Sequence, residues 1–537
     1  MRRSDVEGRS AVVAQGIEIE KKYDVGEAAE VPSLTGVAGV ARVGEPRTAT
    51  LDAVYFDTGR HTLASRRMTL RRRTGDTDAG WHLKLPAEAV PGASEATDES
   101  GPQQRRELHE PLGQADVVPD RLLAHLRAYL RGDDVAPVVR LETRRTTYPL
   151  YAEDGMHLAD LADDRVSADL LGAAGDSGTT QRWREWELEL VHGSPELFPA
   201  ADHALAAAGA SPAEYTSKLA RALAGGPDLS PHDRAAPAVA AAGKKSPATA
   251  VVTAYLGAQI QEILARDPGV RLEEPEAVHE MRSATRRARS ALSAYRQLYS
   301  AVAVRRLCDE LKWLGQILGE PRDAEVMLDR LRGHIDDLEP GPAATAVKAQ
   351  LEKDLGDTLD TAYRKLQGTL LSERYYRLLD DLERFRDQPP ARPEADAPAR
   401  KVAGKLVGKA AKRLRLSHRA AKNARRGAPH ESALHQVRKD AKKVRHVAES
   451  MVPVHGKRAV KVAKAAHRLQ QALGDFHDGV IARDLLAEFG AVPGLSEPVA
   501  SAYITLQTRQ VQLAAEAEAT YVKAWKKSKK RLKAGVL

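Results

Sequence analysis

Polar and apolar positions alternate strictly along the first part of the chain. In GIEIEKKYDV, Gly16 to Val25, the charges of Glu18, Glu20 and Lys22 fall on one face of an extended segment. Ile17, Ile19 and Tyr23 fall on the other. The same period of two returns in LDAVYFDT, MTLRRRTG, WHLKLP, RLETRRTTYPLY, MHLADLADDRV and RWREWELELV, which lie between turn-rich stretches such as PGASEATDESGPQQ. A succession of short strands with few helices predicts a meandering antiparallel sheet or barrel up to about Gly225. The helices expected in this half are DVVPDRLLAHLRAYL and LFPAADHALAAAGA. A stretch rich in Pro, Gly and Ala, residues 225–247, then reads as a linker. Beyond it the period becomes helical, in long Ala/Leu/Arg/Lys/Glu segments broken at EPGPAA and QPPARPEADAPAR. The domains expected are therefore 12–224 and 248–534.

The helical half repeats itself. VHEMRSATRRAR (278–289) matches LHQVRKDAKKVR (434–445), and LGQILGEPRDAEVMLDRL (314–331) matches LQQALGDFHDGVIARDLL (469–486). The near-equal spacing predicts a duplicated unit and two packed helical bundles. In the first copy His279, Arg282, Arg286 and Arg289 lie at i, i+3, i+7 and i+10, on one narrow stripe. Met281, Ala284, Ala288 and Leu292 lie on the opposite side. The second copy repeats the stripe with His435, Arg438, Lys442 and Arg445. A charged stripe is ordinarily a solvated face, which explains one copy but not the same histidine and three cations in both. No second histidine or carboxylate stands one turn away in a zinc-ligand pattern. Imidazole and guanidinium donors suit phosphate better.

Composition narrows the partners. With 537 residues the chain exceeds one hydrophobic core. Mean hydropathy is −0.44 and 29% of residues are charged. No apolar run reaches membrane-spanning length, and MRRSDVEGRSAVVAQG lacks the apolar segment of a signal peptide. The one cysteine, Cys308, excludes internal disulfides and a cysteine-based zinc site, in keeping with a reducing cytoplasm. Net charge is +8, and 401–467 holds 19 Lys or Arg against three acids, which points to a polyanionic partner. Aromatics at 4% argue against base stacking, and so against a single-stranded nucleic acid.

The strand half carries its charges at the same two-residue spacing. After Glu18, Glu20 and Lys22 come Arg71, Arg73, Lys84, Arg105, Glu107, Arg145, Asp160, the alternating Glu185, Glu187 and Glu189, and finally Lys218. A barrel interior is ordinarily filled by apolar side chains. Burying this many unpartnered charges is prohibitive, so the interior should hold water or a charged ligand. The cations are expected to outnumber what the carboxylates pair. Paired glutamates are hard oxygen ligands for Mg²⁺ or Mn²⁺. A cationic lining beside carboxylate-held metal is what a triphosphate requires.

These residues resemble the CYTH, or triphosphate tunnel metalloenzyme, family over roughly Gly16 to Leu223. The likeness rests on E-x-E-x-K at Glu18, Glu20 and Lys22, L-R-x-R at Leu70 to Arg73, the strand lysine Lys84, the later Arg145 and the closing Ser217–Lys218. The resemblance implies an α+β unit built on an eight-stranded closed β-tunnel. Glu18, Glu20, Asp160, Glu185 and Glu187 would hold the metal. Lys22, Arg71, Arg73, Lys84, Arg105, Arg145 and Lys218 would bind triphosphate, with Lys22, Arg145 and Lys218 acting in catalysis. The acidic strand also admits the register Glu187/Glu189, and Asp163 and Asp164 are alternatives to Asp160. The helical half, roughly Ser246 to Ala534, resembles the CHAD (conserved histidine α-helical) family through its two His-plus-cation helices and LGEPRD/LGDFHD. That resemblance implies two four-helix bundles and inorganic polyphosphate bound along the two stripes.

The activity expected is therefore metal-dependent hydrolysis of inorganic triphosphate. A non-catalytic polyphosphate-binding protein is the alternative, and adenylate cyclase or thiamine triphosphatase activity is the third reading. A cytoplasmic location, at polyphosphate granules if the helical half tethers it there, is expected with it.

Overall fold

The structure is a computed structural model that describes residues 14–86, 101–171, 180–224, 243, 245–336, 338–393 and 397–533. It divides into two compact units, Met1–Ala238 and Val239–Leu537. Most of the expected linker lies outside the described residues.

The first unit runs β1 (Ala14–Asp24), β2 (Arg42–Val43), β3 (Arg47–Asp57), α1 (Thr62–Ser65), β4 (Thr69–Thr74), β5 (Gly80–Pro86), β6 (Gln103–Glu110), α2 (Asp120–Leu130), β7 (Ala136–Tyr151), β8 (His157–Leu170), β9 (Gln181–Leu190), α3 (Leu197–Ala207), β10 (Ser211–Pro212) and α4 (Lys218–Leu223). Eight strands pair antiparallel in the order β1-β6-β5-β4-β3-β7-β8-β9, and β9 returns to β1, closing the barrel. Two-residue β2 and β10 sit beside β7 and β1.

The apolar half of each alternation faces outward and is covered by helices. Trp81, Leu83, Leu70 and Leu108 pack under Leu122 and Leu126 of α2. Tyr23, Trp186, Leu188 and Leu161 pack under Phe198 and Leu205 of α3. Where no helix covers the strand, the residue stays wet: Ile17 is 68% exposed. A third apolar cluster joins Tyr55, Leu141, Val166 and Trp183 to Leu219, Ala222 and Leu223 of α4. Its strand members share parity with Arg71, Arg145, Asp164 and Glu185, so α4 fills part of the interior and the rest is left to charges.

The second unit is all helical: α5 (Ala248–Arg271), α6 (Ala277–Tyr295), α7 (Ala301–Ile317), α8 (Gly319–Ile335), α9 (Pro342–Leu370), α10 (Glu373–Asp387), α11 (Ala399–Asn423), α12 (Ala428–Glu449), α13 (Val452–His455), α14 (Lys457–Gly490) and α15 (Glu497–Ser528). The duplication is visible as α6 against α12 and α7–α8 against α14. The second copy keeps one unbroken 34-residue helix where the first breaks at Leu318. One hydrophobic core draws on both copies, joining Leu331 and Ile335 of α8, Val347 and Leu351 of α9, Leu486 of α14, and Tyr503 and Leu506 of α15.

Candidate active site

Strand pairing sets opposite charges against each other across the barrel interior. Glu18 lies opposite Arg105, Lys84 opposite Glu107, Lys22 opposite Glu187 and Arg145 opposite Asp164. Four pairs break the rule: Glu20 and Asp160 both face Glu189, and Asp24 and Asp164 both face Glu185. Like charges directly opposite are unfavourable, so a further cation is needed beside Glu185 and beside Glu189.

At the Asp164–Glu185 pair that cation is a lysine. Ser217 caps α4 by accepting a hydrogen bond from the Ala220 amide (3.0 Å), which sets Lys218 as the first helical residue. Its Nζ reaches Asp164 (2.8 Å), Glu185 (2.7 Å) and Glu187 (2.6 Å). Arg145 donates to both oxygens of Asp164 (2.8 and 2.6 Å) and also pairs with Glu187. Lys22 lies against Glu20 (3.1 Å) and Glu187. Glu187 thus holds Lys22, Arg145 and Lys218 together. Burial opposes its charge, but Lys218, Lys22 and Arg145 outweigh it and hold the carboxyl well below its ordinary range.

The Glu20–Glu189 pair is compensated less fully. Lys84 donates to Glu18 (2.6 Å), while Glu18 Oε2 is buried without a hydrogen-bond partner. Against the cost of burial, Lys22 and Lys84 bring Glu20 down to about 2. Burial and the nearby Glu18 push Glu189 up to about 7.

The remaining lining follows β4, β5 and β6. Arg71 reaches the Tyr55 hydroxyl (3.3 Å), and Arg105 donates to Gln103 (2.8 Å) and the Thr216 carbonyl (2.8 Å). Glu107 faces His82 Nδ1 (2.9 Å) rather than Arg105.

One donor set among the described residues has the spacing to suit a divalent ion: carboxylate oxygens of Asp164, Glu185 and Glu187 lie within 4.8 Å of one another. Glu18 and Glu20 are near enough to Glu189 to raise it, and Glu18 Oε2 has no hydrogen-bond partner. All donors are oxygens, the type hard cations take.

In the helical unit the two stripes meet. Arg286 is brought down to about 10 by burial, with Arg282 and Arg438 next to it. Lys442 is brought down to about 6 by burial, with Arg286, Arg438 and Arg282 around it. A glycine gives the first stripe its room: a Cβ at Gly319 would lie 3.3 Å from the Arg282 guanidinium, while Gly474 stands at the matching place beside Arg438 with ordinary clearance. Arg282 pairs with Asp323 (2.9 Å), and the rings of His435 and His477 lie 4.4 Å apart. Arg445 is turned to Glu449 (2.7 Å) and His467 (3.0 Å), and His279 is lowered by burial and by Arg322.

Residues 16–222 match the CYTH domain and 254–487 the CHAD domain. Over 492 residues the chain is 37% identical to the uncharacterized protein Rv2226 of Mycobacterium tuberculosis, covering 88% of this chain and 89% of that one. This chain belongs to the CYTH–CHAD proteins. PptA from Streptomyces chartreusis matches 52% of it over the whole of that chain, at 23% identity and a TM-score of 0.46. The CHAD domain from the plant Ricinus communis matches 53% of it over 93% of that chain, at 25% identity and a TM-score of 0.43. CYTH proteins are typically metal-dependent phosphoryl-transfer enzymes acting on triphosphate substrates.

Within this CYTH–CHAD protein the interior brings together every tunnel residue expected from the sequence except one. Asp160 shares the inward face of β8, but it is 31% exposed and turned to His157 (2.8 Å); the carboxylate among the cations is Asp164, with no exposure. The acidic strand needs no choice of register, because Glu185, Glu187 and Glu189 all face inward. The expected excess of cations is not found. Among the described residues the cavity is lined by seven cations and six carboxylates, and Asp164 and Glu185 bring the acids to eight. Asp164 is one of the alternatives named beside Asp160; Asp78 was missed because it lies in a turn, and His82 because it stands alone between Trp81 and Leu83.

Proposed function

We propose that the tunnel hydrolyses inorganic triphosphate with a bound divalent metal, and that the helical unit binds inorganic polyphosphate. The observation that carries the first part is the sharing of Glu187 by Lys22, Arg145 and Lys218. These cations are buried or half-buried and share this carboxylate besides their own partners Glu20, Asp164 and Glu185, so an entering phosphate can exchange with Glu187 as their common partner. Arg71, Arg73, Lys84 and Arg105 line the rest of the path, where phosphate oxygens would lie against positioned donors.

Mg²⁺ or Mn²⁺ held by Glu18, Glu20 and Glu189, or by Asp164, Glu185 and Glu187, would supply Lewis-acid stabilisation of charge on the phosphates. Asp160 stands outside this set. For the helical unit, the support is the convergence of Arg282, Arg286, Arg438 and Lys442, where like charges crowd without enough acids to neutralise them. His279, Arg289, His435 and Arg445 complete the proposed surface. The helical unit would raise the local substrate concentration. A cytoplasmic location and association with polyphosphate granules belong to the same proposal.

The test is orthophosphate release from inorganic triphosphate, ATP and long-chain polyphosphate, with and without Mg²⁺ or Mn²⁺, beside a Glu18→Ala/Glu20→Ala variant. Metal-dependent release from triphosphate, abolished in the variant, is the expected result. No release from triphosphate, with tight salt-sensitive polyphosphate binding retained, would replace this reading with that of a binding protein.

A further inference from the structure

The turn between β4 and β5 brings one more carboxylate to the cavity than strand alternation supplies. Asp78 lines the cavity, its side chain is 50% exposed, and it forms an ion pair with Arg73. Arg73 itself is buried. Burial, Arg71 and Arg145 together bring its guanidinium down to about 9. Asp78 is thus the counter-charge of a crowded arginine, placed where the charged interior meets solvent.

The turn holds this carboxylate in place. Gly75 has φ +101°, and a Cβ there would come within 2.0 Å of the Thr50 carbonyl oxygen, so the hairpin lies tight against β3. On the other side, His82 Nε2 lies 3.0 Å from the Asp78 carbonyl and Nδ1 lies 2.9 Å from Glu107, which puts the ring between the turn and β6. A turn pinned at both ends presents a fixed anion.

We infer that Asp78 determines chain length: it is the end-stop of the tunnel at Arg73. The inference rests on the triphosphate reading. A terminal phosphate that reaches Arg73 takes over the role Asp78 plays in the absence of substrate. A further phosphate would have to lie against the Asp78 carboxylate, in a part-buried site where like charges repel more than in water. A neutral amide of the same shape removes that repulsion and keeps the turn.

The experiment compares kcat/KM for inorganic tripolyphosphate and linear tetrapolyphosphate in the full chain, as wild type, Asp78→Asn and Asp78→Glu. The wild type should prefer tripolyphosphate. Asp78→Asn should narrow that preference on the order of tenfold, mainly through a lower KM for tetrapolyphosphate. Asp78→Glu, which keeps the charge, should keep most of the preference. An unchanged ratio in Asp78→Asn, or an equal fall on both substrates, overturns the end-stop and leaves the triphosphatase standing. A wild type that turns over neither substrate overturns both.

Discussion

His446 Nδ1 lies 3.0 Å from the Ser290 hydroxyl, and the two residues hold the same place in the two copies of the helical repeat, 156 positions apart. His279 and His435 are separated by the same interval. α6 and α12 thus meet at equivalent positions, and Arg286 and Lys442, also 156 positions apart, lie close to each other. Burial pushes the His446 imidazole down to about 3, so the bond is made by a neutral ring at physiological pH. Removing either partner should cost about 1–3 kcal/mol, with a coupling of about 1 kcal/mol between Ser290→Ala and His446→Ala. A double-mutant cycle on the denaturation of the helical unit measures it, and strict additivity would contradict the contact.

Lys442 should make polyphosphate binding pH-dependent. Its folded-state pKa is lowered, through burial and the surrounding Arg286, Arg438 and Arg282, to about 6, from 10.5 for the ordinary group. The folded protein therefore binds fewer protons than the unfolded chain between those values, and this group's contribution to stability rises with pH across that window. A polyanion reverses the balance by restoring the charge, so binding takes up a proton. Polyphosphate affinity should fall as pH rises above about 6. Calorimetry in buffers of different ionisation enthalpy should detect proton uptake near neutral pH, reduced in Lys442→Arg.

Glu187→Gln should destabilise the barrel and abolish turnover. Lys218, buried, and Lys22 and Arg145, half-buried, lose their shared counter-charge, and breaking one side of a buried pair costs about 3–5 kcal/mol. Added inorganic triphosphate should raise the melting temperature of this variant more than that of the wild type, since it supplies the missing anion. An equal rise in both would count against exchange between phosphate and Glu187.

Gly75→Ala should cost about 2–4 kcal/mol through left-handed backbone strain and the clash with Thr50. Thermal unfolding reads the loss. Gly59→Ala, where the added Cβ meets nothing within 4 Å, is the control and should be nearly neutral.

Much of the tunnel was legible because period-two alternation assigns every residue of a strand to one of two faces. Glu18, Glu20, Lys22, Arg71, Arg73, Lys84, Arg105, Arg145, Glu187 and Lys218 all line the cavity. β8 defeated the same reasoning because LADLADD offers acids at both parities. Alternation alone cannot choose between Asp160 and Asp164 on the inward face. The pairing of Asp164 with both Arg145 and Glu185 chooses it, and that depends on the partner strands. Asp78 escaped because a turn has no period. The supposed cation excess was not in the residues themselves: those named from the sequence are already seven acids against seven cations, and Asp78 of the turn adds another acid. In the helical unit the repeat was plain, but the core joining α8 and α9 to α14 and α15 was not, since periodicity shows that a face is apolar without showing what meets it.

Eight carboxylates against seven cations make the tunnel an almost neutral salt lattice rather than an anion trap. A bare triphosphate would overload it with negative charge, and a bare divalent ion must compete with Lys218 and Lys22 for the same oxygens. A divalent ion offsets part of the triphosphate's charge, so each ligand relieves the repulsion or competition that opposes the other. Such a lining responds to coincidence: occupancy would follow the product of metal and triphosphate concentrations and stay low when either is scarce.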